Sequence, residues 1–164
     1  MSRLDETHNL PLFQKAELIY QLVESLVASL PDEDTYIQDT KHLMQEDAMI
    51  IPAKIAGAEA GELYSIRMQN AAIIRENAMH LYDQVGSLRL YKNYRELEYV
   101  EFIRKELNNF RLLFIEWVAS FDSNNHIWDE WGLFNPPGAI PPSEQDKATD
   151  NDFDFNDFFE NDED

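Results

Sequence analysis

The chain has 164 residues and no cysteine, which excludes disulfides, thiolate metal sites and a cysteine nucleophile. Its net charge of −19 is uneven: residues 1–121 hold 19 acidic and 12 basic side chains, whereas residues 122–164 hold 13 acidic ones and a single base, Lys147. No apolar run approaches the roughly 18–20 residues of a membrane-spanning helix, and residues 1–9 lack the apolar stretch of a signal peptide, so a cytoplasmic protein with no membrane partner is expected.

The first helix is predicted over residues 9–30. Leu12, Ala16, Ile19, Val23, Leu26 and Leu30 step by four and three, the spacing of one buried helix face. Asn9 suits the N-cap and Pro11 the first turn. Pro31 ends the helix, because proline lacks the donor that continues the ladder and disfavours helix in the residue before it. The second helix is predicted over residues 38–58, on Met44, Ala48, Ile51, Ile55 and Ala58. Pro52 lies inside that pattern and predicts a kink or a fresh helix start.

The third helix is predicted over residues 62–88, on Tyr64, Arg67, Ala71, Ile74, Ala78, Leu81, Val85 and Leu88. Arg67 is the only polar residue of that seam. Either it snorkels to water near the helix end, or it is buried against a carboxylate or a ligand. The fourth helix is predicted over residues 94–121, on Val100, Ile103, Leu107, Phe110, Phe114, Trp117 and Phe121. Four such seams predict an all-α, antiparallel up-down-up-down four-helix bundle over residues 1–121.

The first and fourth helices carry a second apolar set: Phe13, Tyr20 and Val27 in one, Tyr99, Phe102, Leu112, Leu113 and Ile115 in the other. One core needs one stripe per helix, so the second set is read as a subunit interface of a homo-oligomer; the plainer alternative is a wide core stripe.

Residues 122–142 form an aromatic, proline-rich extension, with turn signals at Pro136-Pro137-Gly138 and Pro141-Pro142. Trp128 and Trp131 are expected to pack on the bundle or on a neighbouring subunit. Residues 143–164 are predicted to be a disordered acidic tail in which Phe153, Phe155, Phe158 and Phe159 alternate with Asp and Asn. Solubility alone does not require four phenylalanines. They are candidate partner-binding residues that would dock in an apolar groove while the aspartates steer toward a basic rim. An inert solubilising tail, or a phosphate mimic folded back over a basic patch, are the other readings.

Leu12-Phe13-Gln14-Lys15-Ala16, then Leu30-Pro31-Asp32-Glu33, then Ala48-Met49-Ile50-Ile51-Pro52-Ala53-Lys54-Ile55-Ala56 follow one another in an order that resembles a bacterial four-helix-bundle family. That family comprises proteins encoded in intervening sequences of 23S ribosomal RNA genes and the accessory variability protein of diversity-generating retroelements. The resemblance covers residues 10–121. It implies a ring-shaped homopentamer without enzymatic activity and, for the retroelement member, a basic protein that partners a reverse transcriptase and nucleic acid. This chain departs in having Gly57-Ala58-Glu59 after the isoleucine–alanine step, and an acidic bundle.

The candidate nucleic-acid patch is Arg89, Lys92, Arg95, Arg104, Lys105 and Arg111, interleaved with Tyr91, Tyr94 and Tyr99 but also with Glu96, Glu98, Glu101 and Glu106. Ordinary intrahelical ion pairs are the plainer account of that stretch. His42/Glu46 and Glu76/His80 are each four apart, whereas di-iron bundles use Glu-x-x-His pairs with further carboxylates, so no metal or cofactor is expected. Glu59 and Glu62 are the nearest thing to a paired-carboxylate site; no phosphate loop or nucleophile elbow is present in the sequence. The expected function is a non-enzymatic oligomeric adaptor that binds a protein or ribonucleoprotein partner. The alternative is a nucleic-acid-binding accessory protein of a reverse transcriptase, with the acidic tail as autoinhibitor.

Overall fold

The computed structural model describes residues 2–32, 34–92 and 94–142; the tail assigned to residues 143–164, with its four phenylalanines, lies outside the described residues. Five helices follow one another: α1 (Arg3–Asn9), α2 (Pro11–Ser29), α3 (Thr35–Glu59), α4 (Tyr64–Ser87) and α5 (Leu97–Ala119), with a 3-10 turn at Leu88–Leu90. The long helices α2 to α5 pack each against the next, and α5 returns beside α2. That is the up-down-up-down bundle the four seams predict.

The seams fill its centre. All six predicted positions of α2 and all five of α3 are buried, as are Ala71, Ile74, Leu81, Val85 and Leu88 from the third seam and Val100, Ile103, Leu107, Phe110, Trp117 and Phe121 from the fourth. Of the second apolar sets, Phe13 is buried, and Tyr20, Val27 and Leu113 pack partly buried against the same core, so those residues widen the core stripe. Tyr99, Phe102, Leu112 and Ile115 stay exposed on α5.

The helix ends differ from expectation in instructive ways. Asn9 is not the cap of α2. It is the last residue of α1, and Leu10, extended at φ −65 and ψ 129, separates the two helices. Pro11 is the cause, since the residue before a proline is driven out of the helical region. The polar N-terminal segment forms α1 because Ser2 and Asp5 make a reciprocal capping box. Arg3 then donates to the Ala60 carbonyl at 2.8 Å, tying α1 to the α3–α4 turn.

α3 starts earlier than the apolar pattern, because the Asp34 carboxylate accepts the Ile37 N–H at 2.8 Å. It does not restart at Pro52; one helix runs through the proline. α5 begins later than expected, at Leu97, with buried Tyr94 in the preceding loop.

Candidate partner-binding surfaces

α4 and α5 make the sparsest contact of the four neighbouring pairs in the ring, and an open groove of about 500 Å³ lies along their seam. Its lining follows from antiparallel pairing. Ala78, Leu107, Phe110 and Phe114 belong to the core seams or flank them. Arg75, Met79, Tyr82 and Asp83 on α4, and Asn108, Arg111 and Ile115 on α5, stand one helical step outward. Met79 and Ile115 are half exposed. Arg75 and Arg111 line the groove, and neither has an ion-pair partner among the described residues. Arg75 was no part of the sequence-level patch. It gains meaning only from its apposition to Arg111.

The six bases of the candidate nucleic-acid patch fall into different settings. Arg89 is paired with Glu101. Arg104 crosses to α4 and lies 3.9 Å over the Tyr82 ring. Gly86 makes room for it, since a Cβ there would fall 2.5 Å from Arg104 Nη1. Hydrogen bonds from Arg104 and then Asn108 hold the Tyr82 phenol below its ordinary pKa. Arg111 faces the groove, and Lys92, Arg95 and Lys105 are exposed.

After α5 the chain folds back onto the start of α4, where the Tyr64 N–H donates to the Asn125 carbonyl at 2.8 Å. The following loop is organised by Asp129. Its carboxylate accepts the main-chain N–H groups of Trp131, Leu133 and Phe134 at 2.9–3.0 Å. These bonds favour the ionised form and lower the pKa of Asp129, that of Phe134 most. The Asn135 side chain reciprocates, accepting the Asp129 N–H at 2.7 Å and donating to the Asp129 carbonyl at 3.1 Å. Gly132, at φ +68, supplies the left-handed residue that the tight turn needs. Trp128 and Phe134 sit in a shallow cleft against Leu63 and Ile66. Trp131 does not pack on its own bundle: it is 95% exposed, and Leu133 beside it 72%. The turn that satisfies Asp129 leaves the indole in water.

Several polar groups inside the bundle bind one another, while Asp47 Oδ2 and Arg67 Nε make no hydrogen bond. Arg67 falls between the two readings: it is half-buried near the start of α4 and paired with a carboxylate. Its guanidinium meets Glu59 Oε1 at 2.5 Å and lies 4.3 Å over the Phe121 ring, and the Trp117 indole N–H donates to the same Glu59 oxygen at 2.7 Å. Glu62 pairs instead with Arg3, so the two carboxylates are held by different partners. His80 turns away from Glu76 toward α3, its Nδ1 2.7 Å from Asp47 Oδ2 but off the line of a hydrogen bond. Burial raises the Asp47 pKa, and His80 only partly opposes that. Among the described residues no group of three or more His, Asp or Glu side chains is placed to hold a metal ion, and no helix is long and apolar enough to cross a membrane.

No protein-family model matches the chain, and no curated protein or solved structure matches it either. Functional inference therefore rests on these surfaces.

Proposed function

We propose that this protein is a non-catalytic adaptor: a self-associating helical bundle that presents aromatic and aliphatic side chains to a protein or ribonucleoprotein partner. The observation that carries the proposal is Trp131. Its indole stands almost fully in water on a loop that the Asp129 and Asn135 bonds already order. Tryptophan is among the residues most enriched at binding hot spots, and a pre-ordered loop lowers the entropic cost of association. The exposed Phe102 and Leu112 on α5 suit contact between copies, and the resemblance to ring-forming bundles favours a pentamer. Repeated copies would raise avidity without a strong single contact.

The test has two arms. Full-length protein is cross-linked in its native cell and compared with Trp131→Ala. A protein partner captured by the wild type, lost with Trp131→Ala and stable to moderate salt supports the adaptor. Capture of RNA or DNA that falls steeply with salt supports the retroelement-like alternative instead, because phosphate contacts release counterions. Sedimentation of the wild type and of Phe102→Glu/Leu112→Glu checks assembly. A wild type that is monomeric at all concentrations removes the oligomer from the proposal.

A further inference from the structure

We infer that the α4–α5 groove is the seat of this chain's own C-terminal segment, residues 143–164, whose phenylalanines enter the apolar floor while its carboxylates meet Arg75 and Arg111. The inference is independent of the adaptor reading.

Charge complements the groove. The bundle is acidic, and Arg3, Lys15, Lys41, Arg67 and Arg89 are each held in an ion pair, while Arg104 is held over Tyr82. Among the described residues without an ion pair, Lys54, Lys92, Arg95 and Lys105 line neither cleft, whereas Arg75 and Arg111 line an apolar one. Guanidinium groups take carboxylates through paired, charge-assisted hydrogen bonds. Asp83 is the one carboxylate in the lining. It is eight residues from Arg75 along α4, about 12 Å, so the arginine end remains open to anions.

The segment has matching chemistry. It carries ten acidic residues against Lys147, with Phe153, Phe155, Phe158 and Phe159 set among them. Phe155, Phe158 and Phe159 are spaced three and four apart, the pattern of anchors on one side of a helical turn. An apolar groove with a cationic rim fits such an acid-flanked aromatic motif better than it fits a phosphate backbone, which has no apolar part to fill the floor.

Reach is sufficient. The extension is fixed to the first turn of α4 through Tyr64, Trp128 and Phe134. From Gln69, which lines the cleft there, to Met79 is about 15 Å along the helix. Thirteen residues separate Pro142 from Phe155, roughly 43 Å when extended and about 20 Å as a coil. A tether of that length gives the segment a millimolar-scale effective concentration at the groove, so a weak contact suffices.

The test uses the full chain. Its lack of cysteine lets Asn161→Cys carry the only nitroxide label, and 13C-methyl methionine supplies the probes. Met79 lines the groove, Met49 is exposed on the adjoining α3 as the off-groove comparison, and fully buried Met44 reports that the bundle is folded. The expected result is a markedly stronger loss of the Met79 methyl signal than of the Met49 one. Either Arg75→Glu/Arg111→Glu or Phe158→Ala/Phe159→Ala in the labelled chain restores Met79 with the Met44 shift unchanged. A sharp Met79 signal in the labelled protein overturns the inference, as does equal loss at Met49. Mixing labelled chains with unlabelled 13C-methionine chains distinguishes the remaining occupant: loss of Met79 in that mixture places the tail of a second copy in the groove and overturns same-chain docking.

Discussion

Two carboxylates have opposite relations to their surroundings. Glu59 is a partly buried acceptor shared by Arg67 and the Trp117 indole. Glu59→Ala leaves a guanidinium and an indole N–H without their acceptor and is expected to cost about 2 kcal/mol, the scale of a lost hydrogen bond to a charged group; denaturant unfolding measures it. Asp129 is half-buried, and its hydrogen bonds stay within its own loop. Its folded pKa lies below the ordinary value, so its contribution to loop order is complete above the unfolded-state pKa and is lost as pH falls through the lowered folded one. Protection of the Trp131, Leu133 and Phe134 amides, taken relative to their intrinsic exchange rates at each pH, is therefore expected to persist through mildly acid pH and to fall only below the usual Asp range. Asp129→Ala should make those amides fast at neutral pH while the bundle's thermal midpoint stays put. Arg67 shows what a seam alone leaves open: its heptad position is plain, but only Glu59, eight residues upstream and across a turn, makes it a half-buried ion pair.

At the scale of elements, α3 tolerates a proline because packing, not local propensity, holds it. It packs against α2 and α4 along its length, while Pro52 removes one donor, to the Ala48 carbonyl, and crowds the preceding turn. Pro52→Ala restores the donor and is expected to stabilise the protein by roughly 1–3 kcal/mol, read as a rise in thermal midpoint. The start of α3 offers the converse test. Asp34 caps the helix through Ile37 and also accepts the Tyr91 hydroxyl at 2.9 Å, so Asp34→Ala is expected to lower the thermal midpoint and to fray the first turn of α3 in amide exchange. α1 was missed for a physical reason. Seven residues are too few to display a 3.6-residue period, and its signal, Ser2 with Asp5 three residues on, is a cap rather than a pattern.

For the whole molecule, the contrast among helix pairs matters most. α3 and α4 pack most extensively, α4 and α5 least. Regions with few buried contacts open at lower free energy than the global transition. Native-state hydrogen exchange is thus expected to find the α4–α5 seam around Met79 and Ile115 opening before the α3–α4 pair. The reverse order would mean that packing density does not set the order of opening in this bundle.

The sequence by itself determined the bundle, since a buried seam must repeat every three or four residues and each helix carried one. It also marked the extension and the acidic segment by composition. Tertiary structure decided what local pattern cannot encode. Arg75 and Arg111 share a groove only because two antiparallel helices place side chains 36 residues apart along one seam. Trp131 stands in water only because a turn closes around Asp129. Periodicity records which face of a helix is dry; it does not record which neighbour stands beside it, and the candidate site is made of neighbours.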